Sequence, residues 1–273
     1  MVTRRELDNG AAPELVPYRT MKAQHDHLGG GVFVAEGDKV VHRLIDSGLG
    51  LRSVLVPPQA ADGLEARLQA AGRTVDLFVA PRAALEGFTG FPIYQGILAL
   101  GEVPAPASWA ELLAAGRPGR RLITALDGLT GAENVGAVIR NASALGARGV
   151  LLGPTTAHPY LRRAVRSSMG TVFAQPYDRT DDLPGRLRRL RDEGVSVVAA
   201  HPGATARSIH QLEARRDLCV VFGAEGEGLS AGVLAACDER VSIPMEAAVD
   251  SLNVAAASAV VFSEIRRRRL EGG

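Results

Sequence analysis

Three short stretches in the second half of the chain set polar side chains into a backbone rich in glycine and small residues. In residues 126–145, LDGLTGAENVGAVIRNASAL, Asn134 stands at a helix entrance after a strand and Arg140 follows six positions later. At about 3.6 residues per turn, Arg140 then lies well round the helix, and the two side chains meet only if Asn134 precedes the regular helix. The stretch lacks the central glycine of a dinucleotide fingerprint, and Glu133 would sit beside a pyrophosphate, which argues against a nicotinamide enzyme. Residues 222–230, FGAEGEGLS, read as a strand running into a glycine loop that carries Glu225 and Glu227. Two carboxylates oppose a phosphate and suit a neutral or cationic group, while the glycines let main-chain groups approach a ligand closely. Residues 243–262, IPMEAAVDSLNVAAASAVVF, close a strand at Pro244 and then set Ser251, Leu252 and Asn253 before a small-residue helix, with Asp250 or Ser251 expected as its cap. Taken singly, each loop is also satisfied by an ordinary turn, and the helix by a place in the core.

Composition bounds the setting of these residues. At 273 residues with 46% apolar content the chain is long enough for two domains with sizeable cores, which excludes intrinsic disorder. Lys and Arg (31) balance Asp and Glu (30), so any polyanionic partner must be met by local clusters. Neither a membrane-length apolar run nor a signal-peptide core is present, and a cytoplasmic protein with no membrane association is expected. Cys219 and Cys237 sit in apolar contexts as reduced core residues, and the six histidines lack ligand spacing, so no metal is expected.

The elements divide near residue 105. Residues 1–28 mix charge, proline and glycine and read as a mobile N-terminal arm; 29–104 alternate strand and helix as a small α/β sandwich, with its last strand at 94–100. Within it Val40, Val41, Leu44 and Ile45 mark the inward face of a helix. Residues 105–119, with Pro104, Pro106 and Pro118 around a short helical pattern at 109–115, read as a semi-rigid linker. Residues 120–273 form a second α/β unit, with strands expected at 122–126, 149–152, 195–199, 218–222 and 241–243 and helices between them, the pattern of a parallel sheet. The run Arg266 to Arg269 reads as a solvated helix end.

In order and motif for motif, the three polar segments resemble the SpoU class of RNA ribose 2′-O-methyltransferases, the TrmH family within the SPOUT superfamily. The matching residues are Asn134, Gly136 and Arg140; Gly223, Glu225, Gly226 and Gly228; and Ile243, Pro244, Met245, Ser251, Leu252 and Asn253. Ala224 departs from the Asn found in several branches, which bears on subgroup. The stretch 162–176, RRAVRSSMGTVFAQP, is similar to the family's Arg-rich helix and return strand, and residues 33–39 with 91–98 look like the L30e-like substrate-binding domain that often precedes the catalytic unit. Glu36 and Lys39 there read as a helix-start ion pair.

The resemblance implies a knotted, parallel-sheet SPOUT domain that forms a homodimer, behind a smaller N-terminal L30e-like α/β domain. It implies S-adenosylmethionine held against Ala200, Gly223, Ile243, Met245 and Leu252, largely by main chain, and methyl transfer to a ribose hydroxyl of structured tRNA or rRNA. Arg140 is the implied catalytic residue, either taking the proton or stabilising the alkoxide, with Asn134, Glu225, Ser251 and Asn253 positioning it and the ribose. Arg162, Arg163 and Arg166 are the implied RNA contacts, at helical spacing that suits phosphates. The cluster Arg186, Arg188, Arg189 and Arg191 reads as a solvated face, and 4% aromatic content favours folded RNA over an extended stacking platform as partner. The alternative reading is a non-catalytic RNA-binding protein that retains the fold.

Overall fold

Runs of Val, Leu and Ile bounded by glycine and proline become strands, and amphipathic runs between them become helices. A computed structural model describes residues 1–7, 13–21, 23–89, 96–115, 120–203, 206–246 and 250–271. They fall into two units, Met1–Ala105 with Pro159–Ala174, and Pro106–His158 with Gln175–Gly273.

The first unit contains β1 (Val2–Glu6), α1 (Val16–Arg19), α2 (Gln24–Gly29), β2 (Val32–Glu36), α3 (Asp38–Asp46), β3 (Leu51–Val56), α4 (Pro58–Ala70), β4 (Val75–Val79), α5 (Arg82–Thr89) and β5 (Leu98–Glu102). Its five-stranded sheet has the order β1-β4-β3-β5-β2, with β5 antiparallel to both neighbours and the other pairs parallel. Helix α3 buries the four expected residues, Val40, Val41, Leu44 and Ile45. The expectation of a mobile arm is corrected for the described residues. Strand β1 pairs with β4 from Val2 opposite Val75 to Glu6 opposite Val79, and Leu15, Tyr18 and Met21 enter the core with Leu55 and Phe78. The charges of Arg4, Arg5 and Glu6, on an edge strand, hid the signal. Residues 91–95 of the proposed resemblance, which include the first two positions of the expected final strand, lie outside the described residues.

The second unit begins with α6 (Trp109–Ala114), β6 (Leu122–Asp127), α7 (Ala132–Ala144) and β7 (Val150–Leu152). The chain next contributes α8 (Arg162–Ser167) to the first unit. It then supplies the second with β8 (Tyr177–Arg179), α9 (Leu183–Asp192), β9 (Ser196–Ala200), β10 (Arg207–Ser208), β11 (Leu218–Gly223), α10 (Ala231–Ala236), β12 (Glu239–Ser242) and α11 (Val254–Glu271). All seven strands are parallel, in the order β10-β12-β9-β11-β6-β7-β8. Such a sheet is covered on both faces, which is why β11 is apolar at every position from Leu218 to Phe222.

Two boundaries differ from expectation. The described part of 105–119 is no linker: Ser108 and Glu111 form a capping box at the start of α6, and Leu112 is buried with Ile123 and Leu151. Residues 159–174 group with the first unit because Phe33 packs on Tyr160 and Phe173, at ring separations of 4.9 and 5.6 Å, and Arg162 pairs with buried Glu36.

The end of α11 is also more than a solvated arginine run. Arg267 and Arg268 converge on Glu264, and the half-buried Arg269 guanidinium donates to the carbonyls of Ala214, Arg120, Arg216 and Arg121 at 2.7, 2.7, 2.9 and 3.1 Å. One side chain thereby ties the last helix to two earlier loops. Replacing it should strand several carbonyls, so Arg269→Leu is expected to cost about 2–3 kcal/mol in urea denaturation, against about 0.5 kcal/mol or less for exposed Arg266→Leu. Equal losses would remove the anchoring role.

Candidate active site

The site is built where β9, β11 and β12 end. Strand β11 delivers Gly223 to a turn so tight that a Cβ there would stand 2.3 Å from the carbonyl carbon of Gly228 and 2.6 Å from the nitrogen of Leu229. The turn closes on itself, as Ala224 and Gly228 exchange backbone N–H···O bonds, both 3.0 Å. Gly226 occupies the left-handed region at φ 88°, which an L side chain rarely adopts. The result is a narrow hairpin that presents Glu225 and Glu227.

Glu225 is received by two amides. Asn134 donates from Nδ2 to Glu225 Oε1 at 3.0 Å, and Asn253 donates from Nδ2 to the same oxygen and to Asn134 Oδ1, the latter at 3.3 Å. The Oδ1 of Asn253 accepts the backbone N–H of Ala255 at 2.9 Å, so Asn253 caps α11, where Asp250 or Ser251 was expected. One turn deeper, Asn141 donates to Ala255 O at 2.7 Å and to the buried Ser258 Oγ at 3.0 Å. The start of α11 is thus held to α7 at two places, by Asn134 in its first turn and Asn141 in its last. Phe262 packs edge-on against Phe222, at 5.5 Å between ring centres, and seats α11 on β11.

Beside the cluster lies a cleft of about 720 Å³, lined by Ala200 and His201 after β9, Phe222 to Leu229, Val241 to Ile243, Met245, and Asp250 to Val254. The size suits a nucleoside-sized ligand. Glu225, Glu227 and Asp250 border it and no Lys or Arg is among its lining residues, so its field favours a cation over a phosphate. A shallower hollow of about 880 Å³ around Arg188, Arg189 and Arg216 is open to solvent and contains none of these groups. Among the described residues no cluster of His, Cys, Asp or Glu is arranged to hold a metal, and no helix is long and apolar enough to cross a membrane.

Residues 121–263 match the SpoU rRNA Methylase family. An uncharacterized tRNA/rRNA methyltransferase of Mycobacterium tuberculosis is 36% identical over 248 residues, covering 88% of this chain and 82% of that protein. This chain belongs to the SpoU family. Among solved structures, the AdoMet-bound rRNA methyltransferase from Sinorhizobium meliloti superposes with a TM-score of 0.82 at 26% identity, covering 97% of this chain and 98% of the other. A structure described as an RNA 2′-O ribose methyltransferase gives 0.75 at 27% identity, with 99% and 100% covered.

Within the SpoU segment, the structure brings together Asn134, Glu225 and Asn253, and sets Ala200, Gly223, Ile243, Met245, Ser251 and Leu252 around one cleft. Arg140 is not among them. Asn134 is the third residue of α7 rather than a residue before it, so the six-residue spacing turns Arg140 away; it is exposed, and makes no hydrogen bond or ion pair with the described residues. Arg162, Arg163 and Arg166 stand in the first unit. The guanidinium of Arg162 pairs with Glu36, which is 3% exposed; Arg163 and Arg166 are exposed, although Arg166 also reaches Glu36 at 3.4 Å. Glu36 therefore pairs with α8 across the sequence. Asn141 and His201 were missed by the sequence reading. His201 had one signal, a polar residue directly after a parallel strand, where ligands of such sheets gather.

Gly223→Ala forces backbone apart and should cost about 2–4 kcal/mol in denaturant unfolding, whereas Gly63→Ala, on exposed α4 with open space around it, should gain about 0.5–1 kcal/mol. A Gly223→Ala protein as stable as its parent would disprove the close approach.

Proposed function

We propose that this SpoU-family protein transfers the methyl group of S-adenosylmethionine to a ribose 2′-hydroxyl of structured tRNA or rRNA, acting as a homodimer. The observation that carries the reading is the acidic cleft closed by the Asn134–Glu225–Asn253 cluster. The residues present fit the cofactor: Ala200, Ile243 and Met245 give the cleft apolar walls for a nucleoside, and Glu225, Glu227 and Asp250 border it with no Lys or Arg in its lining, which favours a cation. The AdoMet-bound relative and the ribose methyltransferase of similar fold support the same choice.

When bound, S-adenosylmethionine supplies a methyl group on a sulfonium, whose displacement leaves a neutral thioether. The chain must then hold the nucleoside, favour the positive charge and meet the developing charge on the attacking oxygen. Main-chain groups at Gly223, Ile243 and Leu252 hold the nucleoside, with Ala200 and Met245 beside them. Glu225, fixed by two amides, favours the cation, and Ser251 and Asn253 orient the ribose. Arg140 stabilises the developing alkoxide with its guanidinium charge while water carries the proton away.

Arg140 faces solvent away from its own cleft, so it serves the cleft of a second copy. The outer face of α11, with Ala256 and Val260 exposed, supports that pairing through small apolar residues. Arg163 and Arg166 contribute phosphate contacts from the first unit, which selects the RNA. The test is transfer from labelled S-adenosylmethionine to total RNA, followed by mapping of 2′-O-methyl positions. Arg140→Ala should lower transfer by about 100-fold or more with cofactor affinity unchanged. Mixing Arg140→Ala with Glu225→Ala should restore about a quarter of the parent rate, since half the random dimers are mixed and each holds one complete site. A methylated base would refute the ribose reading, and no recovery on mixing would refute action across the dimer.

A further inference from the structure

Lys39 and Arg43 stand four positions apart on α3, both exposed on one face of that helix. The expected ion pair of Lys39 with Glu36 is not formed. Buried Glu36 takes Arg162 and Arg166 of α8 instead, and Lys39 makes no hydrogen bond or ion pair with the described residues. The carboxylates of α3 itself are occupied elsewhere, Asp38 by His42 at 3.3 Å and Asp46 by Arg67 at 2.5 Å. Arg43 donates to a neutral carbonyl, that of Met169, at 2.6 Å. Neither positive charge is cancelled by a paired carboxylate.

The bond to Met169 joins α3 to the turn that ends α8, and that turn is tightly fixed. Among the described residues Met169 is the one non-glycine residue with positive φ, at 54°. Ser168 Oγ donates to Val165 O at 2.8 Å and accepts the N–H of Gly170 at 3.2 Å, while a Cβ on Gly170 would lie 3.4 Å from the Cβ of Arg43. Arg166 accepts the N–H of Met169 on its carbonyl at 2.9 Å, and its side chain reaches Glu36, two residues before α3. The exposed cations of α3 and α8 therefore adjoin within the first unit. We propose that Lys39 and Arg43 bind RNA phosphates, forming one two-helix docking face with Arg163 and Arg166. This rests on the RNA reading above and adds α3 to it. Cations four apart on a helix stand about 5–6 Å from each other, a step comparable to that between neighbouring phosphates. Such charges position a backbone and read no sequence.

Binding of labelled unfractionated tRNA, and in parallel of total rRNA, to the full chain between about 50 and 200 mM salt tests the assignment. Each phosphate contact adds about 0.7–0.9 to the slope of log affinity against log salt, so joint Lys39→Gln and Arg43→Gln should lower that slope by about 1.5 and the affinity by about tenfold. Lys39→Gln alone should give about half the change in slope and leave the melting temperature of the protein where it was, because no partner is lost. Arg52→Gln is the control, since that exposed arginine already answers Glu102 at 2.9 Å, and it should leave the slope unchanged. An unchanged slope in the double variant would overturn the proposal. An equal fall in Arg52→Gln would do the same, by showing an effect of net charge alone. A parent protein that binds neither RNA would overturn the RNA reading itself.

Discussion

Gly223 lacks a Cβ, and the backbone of Gly228 fills the space where one would be. That single close approach is the constraint on which the site depends. It folds the loop after β11 into a hairpin instead of an open excursion, and the hairpin carries the Glu225 carboxylate to Asn134 and Asn253. Asn253 caps α11 with its other amide atom, so the start of the last helix, the glycine hairpin and the start of α7 share one small network. A charge-assisted bond holds a carboxylate more firmly than a neutral pair does. Both donors here are amides, so the carboxylate is oriented while its charge is left uncancelled for a ligand.

The distribution of arginine explains how a near-neutral chain can serve a polyanion. Many arginines are committed internally: Arg73 donates to the carbonyls of Ile45 and Leu49 at 2.9 Å each, Arg269 joins two loops, Arg121 pairs with buried Asp217 at 2.8 Å, and Arg162 meets Glu36. A buried pair of this sort contributes less net stability than its Coulomb energy suggests, because both ions are desolvated, but it fixes geometry, and removing one partner is costly. Counting arginines therefore overstates the charge offered to RNA. The exposed guanidinium of Arg140, without an internal partner among the described residues, differs in kind from these.

What could be read from the sequence follows the physics of each feature. Five strands of the seven-stranded parallel sheet were legible because strands buried on both faces must be continuously apolar, as β11 is; the short β8 and β10, which carry Asp178, Arg179 and Arg207, were not. The residues at the cleft were legible through the resemblance to the SpoU motifs taken together, since glycines at 223 and 226, or polar groups before a small-residue helix, are each also satisfied by an ordinary turn and cap. Strand β1 was not legible, since three of its five residues are charged and only pairing with β4 reveals it. The helix cap was misassigned among Asp250, Ser251 and Asn253 because any of these residue types can cap and only the backbone path selects one. Arg140 was expected beside Asn134 because spacing along a sequence does not say where the helix starts; with Asn134 already in α7, the six-residue step decides against it.

That step separates two tasks that the same segments had seemed to combine. The cleft is assembled within one copy of the second unit, from the ends of β9, β11 and β12 and the start of α11. The groups that form it are held by the hairpin and by Asn253. On the proposed reading, transfer requires Arg140 from a second copy, and an exposed cation has reason to remain unpaired until then. An arginine satisfied within its own chain would first have to break that contact before meeting a developing alkoxide. Leaving it solvated avoids that reorganisation, and preorganised charge is most effective when the site need not rearrange as the reaction proceeds. The acidic cleft and the free arginine are then complementary parts: one favours the sulfonium before transfer, the other the oxyanion during it, and keeping them on different copies prevents each from neutralising the other in the isolated chain.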